Sequence, residues 1–367
     1  MFLLVFYQFL LLLMLSACAR AASPEGWSGG VVTDEALFIG TMEGDIRAIS
    51  TTTGDTLWRF EFRGESEDDR ALYGTPVIAD GILYFGVYDG ILYAMTTGGR
   101  DVWETRVGDG AHMVGGPVVV DGTVLVGSDD GNMYAFSVSD GTRLWSFPTA
   151  NKIWSTPAVG SGTVYFGSLD HNVYALSLDD GSLVWSFTAN AAVTGTPVLA
   201  RGRVYVGSFA GDFFAIDAKT GLQVWTFDEA ESWFWSGDIA DSENIYAPSL
   251  DGNLYALDLD NGQLQWTLKT EGAIVGTPVF VGDRIAVPSS DGKVWLASLR
   301  DGSNKQQCDI ESKLRAPLTE HEGYIYVAST DRSIRRLFIK PNGNPDEEWV
   351  HITNKDDPVQ LGQSPAC

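Results

Sequence analysis

One sequence pattern recurs along almost the whole chain, and its spacing limits the possible folds more than any other feature. In its clearest copy, Ser155 to Val159 is followed by short apolar runs at Thr163 to Ser168, Asn172 to Ser177 and Leu183 to Thr188. Successive closing tryptophans are 40 to 45 residues apart. Strand-rich repeats of this length are typical of β-propellers. The closing residues are Trp58, Trp103, Trp145, Trp185, Trp225 and Trp266.

Glycine turns divide each repeat into four strands. An Asp-Gly pair such as Asp130–Gly131 joins the second run to the third, and a further glycine such as Gly141 joins the third to the fourth. Asp-Gly is a strong hairpin signal because glycine adopts positive φ without a Cβ clash. Each repeat is therefore predicted to be a four-stranded antiparallel meander.

Two degenerate copies follow the sixth tryptophan. One has Gln306 where the others have Trp, and the other ends at Trp349. Counted from Trp27, the total is eight, which predicts an all-β, eight-bladed β-propeller over residues 27–350 and a C-terminal tail over 351–367. Seven blades plus a tail is the alternative. Closure into a ring lets each sheet cover its neighbour and leaves short edges.

The N-terminus predicts export. Phe2 to Leu15 is apolar at all but one position, which suits a signal-peptide core and is short for a membrane span. Leu15-Ser16-Ala17-Cys18 resembles the lipobox of bacterial lipoproteins, in which the cysteine carries the lipid. We therefore expect a lipoprotein signal peptide over 1–17, lipidation of Cys18 and a short tether over 18–26. An ordinary signal peptide with a chance cysteine is the alternative, since no Lys or Arg precedes the apolar run.

One repeat carries a more specific motif. Ala215 to Trp225 reads A-I-D-A-K-T-G-L-Q-V-W and resembles the tryptophan-docking motif A-x-D-x-x-T-G-x-x-x-W of the quinoprotein, or PQQ-like, propeller family. In that family the tryptophan packs between adjacent blades, so the motif is structural. The resemblance covers about Trp27 to Trp349. It implies blade-docking roles for Asp217, Thr220, Gly221 and the six closing tryptophans.

The family includes oxidoreductases that bind pyrroloquinoline quinone (PQQ) and non-enzymatic relatives such as the BamB-type lipoproteins of outer-membrane assembly. The chain lacks the adjacent Cys-Cys pair of many quinoprotein alcohol dehydrogenases and the long insertions that cover their active sites. The resemblance therefore implies a BamB-like scaffold without a cofactor. We expect it to be tethered to a membrane outside the cytoplasm, where it binds protein partners on one propeller face. That membrane is the outer membrane if the organism has one, and the cell surface otherwise.

Two other functions stay open. The first is a PQQ-dependent oxidoreductase with Ca²⁺, in which the three carboxylates of the cofactor would meet Arg70, Lys152 or Arg315. The second is an extracellular module that binds a small ligand or a polysaccharide at the channel mouth. No other chemistry is indicated: the four histidines have no partner at metal-ligand spacing, and no nucleophile motif is present. We expect neither a catalytic residue nor a metal site.

Charge and cysteine content limit the partners further. The chain has 24 Lys and Arg against 48 Asp and Glu, a formal net charge of -24. Such a charge repels the phosphates of nucleic acids, so nucleic-acid binding is not expected. Two thiols besides Cys18 are present, Cys308 and Cys367, and an exported chain can pair them in a disulfide. Two free, partly buried thiols are the alternative.

A set of aromatic residues marks one face of the predicted ring. They lie at the position two residues before the Thr-Pro of each repeat, close to where the innermost strands begin. Trp233 and Phe234 add to them in the loop before the sixth repeat. Exposed aromatic clusters favour binding, whereas packing between blades is the alternative role. The position is occupied in order by Trp27, Tyr73, Gly115, Trp154, Thr194, Trp235, Val275 and Leu314.

Lipidation of Cys18 is directly testable. Intact-mass analysis of the membrane fraction should find a chain that carries lipid on this residue. Replacement by alanine (Cys18→Ala) should move the protein to the soluble fraction, because the anchor is then lost. Cys367→Ala serves as the control and should leave the protein in the membrane fraction. A wild-type chain without added lipid mass would contradict the anchor.

Overall fold

The protein is described by a computed structural model that covers residues 26–63, 70–340 and 343–353. Within these ranges the secondary structure consists of eight four-stranded sheets, and the strands of each sheet are hydrogen-bonded in chain order. The predicted eight-bladed, all-β propeller is confirmed, and the alternative of seven blades plus a tail is wrong. The part of the chain that the structure describes contains no helix that could cross a membrane.

Each of the first four blades is one contiguous stretch of chain. Their strands are β1 (Gly30–Val32), β2 (Ala36–Thr41), β3 (Asp45–Ser50) and β4 (Thr56–Glu61); β5 (Val77–Ala79), β6 (Ile82–Gly86), β7 (Ile91–Thr96) and β8 (Asp101–Arg106); β9 (Val118–Val120), β10 (Thr123–Gly127), β11 (Asn132–Ser137) and β12 (Arg143–Pro148); β13 (Ala158–Gly160), β14 (Thr163–Gly167), β15 (Asn172–Ser177) and β16 (Leu183–Thr188).

The last four blades follow the same plan. Their strands are β17 (Val198–Ala200), β18 (Arg203–Gly207), β19 (Phe213–Asp217) and β20 (Gln223–Phe227); β21 (Ile239–Ala240), β22 (Asn244–Pro248), β23 (Asn253–Asp258) and β24 (Leu264–Lys269); β25 (Val279–Val281), β26 (Arg284–Pro288), β27 (Lys293–Ser298) and β28 (Gln306–Asp309); β29 (Thr319–His321), β30 (Tyr324–Ala328), β31 (Ser333–Ile339) and β32 (Pro345–Ile352). The last strand continues two residues beyond the predicted propeller end at residue 350.

The Asp-Gly turns take the predicted position between the second and third strands. In blade 3, Gly131 has a φ of +82°, and the Asp130 carboxylate accepts hydrogen bonds from the Asn132 amide at 2.9 Å and the Tyr134 hydroxyl at 2.7 Å. Burial and the neighbouring carboxylate raise the pKa of Tyr134, so this hydroxyl remains a donor. The aspartate thus connects the turn to the strand that follows it.

The hydrophobic core is divided among the gaps between blades. Eight clusters of buried residues are present in the described ranges, and each cluster joins two neighbouring blades. The second and third strands supply most of these side chains, whereas the outermost strands alternate between exposed and partly buried positions. A single blade could not bury both faces of its sheet, so blade packing and ring formation are one process.

Tryptophan docking links neighbouring blades at the periphery of the ring. Each of seven indoles lies against a turn glycine of the next blade, where an added Cβ would come within 2.6 to 3.0 Å of the ring. Each indole Nε1–H also donates to a carbonyl of that blade, at 2.9 to 3.3 Å. The tryptophan and glycine pairs are Trp58–Gly99, Trp103–Gly141, Trp145–Gly181, Trp185–Gly221, Trp225–Gly262, Trp266–Gly302 and Trp349–Gly54.

The quinoprotein-like motif in blade 5 contributes both halves of this contact. Its Gly221, with a φ of +72°, receives Trp185 of the preceding blade, while its own Trp225 docks on the next blade. The Asp217 carboxylate accepts hydrogen bonds from the Thr220 amide at 2.8 Å and its hydroxyl at 2.7 Å. These bonds hold the turn that presents the glycine, and they lower the pKa of Asp217.

Two joints differ from the others. Between blades 7 and 8, Gln306 takes the tryptophan position and accepts a hydrogen bond from Arg284, whose guanidinium also bonds to the carbonyl of Gly343 at 3.3 Å. Between blades 8 and 1, Trp349 docks on the first blade, and Thr319 exchanges two hydrogen bonds with the backbone of Gly30. The ring therefore closes by side-chain docking and not by strand exchange.

A matched pair of substitutions measures the worth of the indole joint. Trp185→Ala should lower the free energy of unfolding by about 3–5 kcal/mol, because it leaves a cavity between two blades. Gln306→Ala removes a smaller side chain and one hydrogen bond, so its cost should be about 1 kcal/mol. Urea denaturation followed by far-UV circular dichroism compares the two. Equal losses would show that the indole adds nothing to the joint.

One buried carboxyl departs from the repeat. Asp238 directly precedes the first strand of blade 6, a place that proline occupies in five other blades. Its side chain is buried, with 6% of the residue exposed. Its Oδ1 has no hydrogen-bond partner among the described residues. Burial raises the pKa of Asp238 well above the usual 3.8, since an uncompensated carboxylate is costly in the interior. Those prolines are Pro76, Pro117, Pro157, Pro197 and Pro278.

This carboxyl should make stability depend on pH. Because its folded-state pKa is raised, its contribution to stability is complete below the unfolded pKa near 3.8 and is lost as the pH rises through the folded-state pKa. As the pH rises above about 4, the wild type should therefore lose unfolding free energy relative to Asp238→Asn. Thermal melts across this range test the slope. Asp121→Asn, in an exposed turn, is the control, and parallel pH profiles for wild type and Asp238→Asn would contradict the assignment.

Candidate functional site

The first strands of all blades begin on the same face of the ring, which we call the entry face. The loops between second and third strands and the connections between blades lie on this face too, because each blade is an antiparallel meander. The turns after first and third strands lie on the opposite face. At the centre of the entry face is a cavity of about 580 Å³, lined by residues from all eight repeats.

One position per blade forms the rim of this cavity. It carries an aromatic ring in blades 1, 2, 4 and 6, a small side chain in blades 3, 5 and 7, and an arginine in blade 8. The rings are therefore separated by gaps around the opening. In blade order the rim residues are Trp27, Tyr73, Val114, Trp154, Thr194, Trp235, Val275 and Arg315.

Two sequence assignments in this ring were wrong by one residue. In blade 3 the position belongs to Val114, although the predicted Gly115 also lines the cavity. In blade 8 it belongs to Arg315, since Leu314 is fully buried between blades 7 and 8. The rim position was predicted by counting back from the Thr-Pro pair, and neither of these repeats has that pair. In blade 8 the proline is also displaced, because Pro317 lies two residues before the first strand whereas Pro157 in blade 4 lies one residue before it. The predicted Trp27, Tyr73, Trp154 and Trp235 are all at the rim.

The aromatic rings group into two arcs. In the first arc, Trp27 meets Tyr73 edge to face with ring centroids 5.0 Å apart, and Tyr73 meets Tyr88 at 5.4 Å. Tyr88 in turn stacks on His112 at 3.9 Å. These edge-to-face and stacked contacts hold the rings in fixed orientations around one side of the opening.

The second arc begins in the cavity and ends outside it. Trp154 and Trp235 face each other at 6.0 Å across the small Thr194 of the blade between them. Trp235 stacks on Phe209 at 5.4 Å, and Phe209 stacks on Trp233 at 4.5 Å. Trp233 does not line the cavity and is 45% exposed. Sequence reasoning missed Phe209 and Tyr88, which lie in the loops between second and third strands.

Hydrogen bonds hold the second arc at its inner end. The Asp129 carboxylate accepts from the indole Nε1 of Trp154 at 2.6 Å and from the Lys152 ammonium at 2.6 Å. The ammonium also lies over the Trp154 ring, 5.9 Å from its centroid. Two contacts that do not involve the core, the hydrogen bond to Asp129 and the Lys152 ammonium, therefore hold Trp154 at the rim.

Phe234 is the predicted rim residue that the structure moves elsewhere. It is 1% exposed and packs against Phe213 and Tyr255 between blades 5 and 6. A Cβ added at Gly207 would come within 2.2 Å of its side chain, so the phenyl ring fills the space above that glycine. Along a strand start, neighbouring side chains alternate between core and cavity, and Phe234 falls on the core side.

Below the rim, the lining is rich in hydroxyl groups. The buried Oγ of Ser236 has no hydrogen-bond partner within the described ranges. The Thr156 hydroxyl accepts a hydrogen bond from the Gly116 amide at 2.8 Å. The cavity wall thus combines aromatic faces near the opening with neutral polar groups below. The lining threonines of this layer are Thr75, Thr156, Thr196 and Thr277.

The three cations considered for PQQ are not grouped around the cavity. Arg315 lines it, with its guanidinium 5.3 Å from the Trp27 ring centroid. Lys152 pairs with Asp129, and Arg70 lies against Gly44, so neither is among the lining residues. Among the described residues, the lining contains one charged side chain and no carboxylate.

Several other predicted residues lie away from this site. Cys18 and Cys367 are outside the described residues. Cys308 is buried and disulfide-bonded, whereas its pairing with Cys367 stays a prediction. The six predicted docking tryptophans, with Asp217, Thr220 and Gly221, lie at the periphery of the ring.

Three of the four histidines lie in different environments away from the cavity. His171 is in a turn, whereas His351 is buried at the closing joint, where its Nδ1 lies 2.8 Å from the Gly54 carbonyl oxygen. His321 lies 3.3 Å from Asp34 in the turns of the opposite face, beside Glu322. The ligating atoms of these last three residues are within 4.8 Å of one another, but the group is separate from the cavity.

Comparison with solved structures places the fold among known propellers. BamB from Moraxella catarrhalis superposes with a TM-score of 0.70 at 19% identity, over 84% of this chain and 95% of that one. The designed Ika8 protein gives 0.76 at 16% identity, over 86% and 97%. Quinohemoprotein alcohol dehydrogenase from Comamonas testosteroni gives 0.68 at 15% identity, over 85% and 71%. At these identities the likeness concerns the fold.

Sequence comparison identifies the family. The β-alanine-activating enzyme of Danio rerio is 37% identical over 73 residues, which are 18% of this chain and 6% of that enzyme. The profile of the family described as outer membrane protein assembly factor BamB matches residues 42–153 and 148–339. These segments contain most of the propeller, including six of the seven docking tryptophans. The chain therefore belongs to the PQQ-like propeller family of the outer membrane protein assembly factor BamB.

Proposed function

We propose that this protein is a non-enzymatic scaffold of the cell envelope that binds protein partners through its entry face. The observation that carries the proposal is the second aromatic arc, which runs from the cavity out to the exposed Trp233. Stacked tryptophans offer a large apolar area at little cost in rotamer entropy, and such residues dominate the binding energy of protein interfaces.

The charges around the exposed end of this arc favour a neutral or basic partner surface. Asp228, Glu229 and Glu231 are exposed next to Trp233. Together with the net charge of -24, they would repel an acidic protein surface and attract a basic one. Interfaces of this kind combine an aromatic anchor with a charged rim.

The cavity lining supports a role without PQQ. The cofactor has three carboxylates, whereas the described lining offers one guanidinium, Arg315. Ca²⁺ requires six or more oxygen ligands, with carboxylates prominent among them, and the described lining has no carboxylate. The residues present therefore do not fit the group, and we derive no redox step for this chain.

Envelope localisation is proposed from family membership and from the N-terminal sequence. A lipid on Cys18 would hold the propeller close to the membrane, because residues 18–26 extend to about 30 Å at most. The partners in reach would then be membrane proteins or proteins bound to that membrane. Assembly of outer-membrane proteins, the role in the family description, is the proposed process.

Site-specific photocrosslinking in the native host tests this function. A benzoylphenylalanine at position 233 should form crosslinks to defined protein partners, identified by mass spectrometry. The control position is 222, where Leu222 is 69% exposed in a turn of the opposite face and should not crosslink to them. Trp154→Ala and Trp235→Ala should weaken the crosslinks with little change in melting temperature, because these rings lie at the rim.

Three results would contradict the scaffold function. Equal crosslinking from positions 233 and 222 would show that the entry face is not special. A large thermal shift and an absorbance change on addition of PQQ with Ca²⁺ would favour the oxidoreductase. Saturable binding to a glycan array, without protein crosslinks, would favour a polysaccharide-binding module.

A further inference from the structure

The cavity contains an isolated positive charge. Arg315 is the charged side chain of the described lining, and no carboxylate of the described residues lies within ion-pair distance of it. Two other cations on this face are paired: Lys152 with Asp129, and Lys293 with Glu271. Arginine keeps its charge at all ordinary pH values, so its complement is an anion.

The planar guanidinium suits an anion with two adjacent oxygens, a carboxylate or a phosphate, and the net charge of -24 disfavours the more highly charged phosphate. The guanidinium can donate two parallel hydrogen bonds to the two oxygens of one carboxylate. The guanidinium carbon of Arg315 lies 5.3 Å from the Trp27 ring centroid, at the rim of the cavity. The unpartnered hydroxyl of Ser236 adds a neutral donor to the same cavity.

The remaining lining describes what must be attached to the carboxylate. Trp27 and Tyr73 flank the opening on one side, and Trp154 and Trp235 flank it on the other. Aromatic and apolar groups fit between these rings, particularly at the gaps left by the small rim residues. The ligand is therefore a carboxylate on an aromatic or apolar body.

Two observations favour the end of a protein chain over a free small acid. The second arc continues past the cavity to Trp233, so the apolar surface is longer than the cavity itself. A small aromatic acid also carries net negative charge and is repelled by the -24 of this protein, whereas a peptide with basic residues is not. A peptide with basic residues can place its carboxylate at Arg315 while its other charges are attracted to the acidic face.

We propose that the cavity binds the C-terminal carboxylate of a partner chain whose last residues carry aromatic side chains, with Arg315 as the carboxylate receptor. This inference rests on the proposed scaffold function, because it names the part of the partner that enters the cavity. The terminal aromatic ring lies between the two arcs, and the preceding residues leave the cavity along Phe209 and Trp233. Capture of a chain end by a dedicated carboxylate receptor is an established mode of peptide recognition.

The test compares two peptides that differ in one group. N-acetyl-Lys-Ala-Trp-Phe with a free C-terminal carboxylate and the same peptide with a C-terminal amide are titrated into the full chain by isothermal calorimetry. The acid should bind about ten-fold more tightly than the amide, which is the usual worth of a charge-assisted hydrogen bond. Arg315→Gln should remove this difference between the acid and the amide.

Controls separate charge, folding and ligand source. Lys313→Gln removes the same charge from an exposed residue two positions away and should keep the preference for the acid. Arg315→Lys retains the positive charge but not the planar guanidinium, so it should keep part of the preference for the acid peptide. Equal affinity of wild type for both peptides, or no binding of either up to about 1 mM, overturns the proposal. Indole-3-acetate binding as tightly as the peptide acid overturns the choice of a chain end.

Failure of this inference and failure of the scaffold function can be told apart. Crosslinks from position 233 to a protein partner, combined with equal binding of the acid and amide peptides, would leave the scaffold function in place and remove the carboxylate receptor. Absence of partner crosslinks, combined with a clear preference for the acid, would leave a carboxylate-binding cavity and remove the scaffold.

Discussion

The structure depends on the contact between a tryptophan of one blade and a turn glycine of the next. The indole needs a flat surface at van der Waals distance and an acceptor for its Nε1–H, and the turn supplies both. Any side chain at the glycine would displace the ring, and the positive φ of residues such as Gly221 independently requires glycine. Two separate constraints therefore fix the same residue, which explains why this glycine recurs in every blade, including blade 8, where Gly343 faces Gln306 instead of an indole.

Tryptophan docking at the periphery of the ring leaves an open cavity at its centre. Once seven indoles and one Gln306–Arg284 pair set the spacing of the blades, the first strands converge around an opening that they do not need to fill. Rim side chains are therefore freed from the packing demands that keep the cluster residues apolar. This freedom is visible in the variation of one position among Trp, Tyr, Val, Thr and Arg. By contrast, the preceding position is buried and apolar in blades 2 to 8, as Ile153, Phe234 and Leu314 illustrate.

The same distinction decides what the sequence alone could predict. The repeat length, the Asp-Gly turns and the tryptophan spacing predicted the blade count and the strand order, because each reflects a local requirement that every copy must meet. The cavity was predicted less well. Phe234 was placed at the rim because it adjoins Trp233 and Trp235, and only its packing over Gly207 shows that it belongs to the core. The sequence does contain one signal for the core position of Phe234. The second strand of blade 5 ends in Gly207, which leaves space for a large apolar side chain from the segment before the next blade.

Contacts between distant loops were beyond the reach of sequence reasoning. Phe209 and Trp235 come from different repeats, and no pattern within one repeat indicates that their rings stack. The isolation of Arg315 is likewise a property of the assembled ring, because acidic residues are frequent everywhere in the sequence. Only the structure shows that none of the described carboxylates reaches it.

The acidic surface acts on a ligand at long range, whereas Arg315 in the cavity acts at contact distance. At long range the acidic surface repels anions and attracts basic chains, an effect that salt weakens beyond roughly 8–10 Å. A group bound in the cavity would displace solvent there, so at contact distance the single guanidinium of Arg315 would outweigh more distant carboxylates. A ligand that satisfies both ranges must be basic or neutral along its length and anionic at one end. That combination is common in a protein terminus and uncommon in a small metabolite, so the proposed ligand of both regions is one extended chain and not two unrelated molecules.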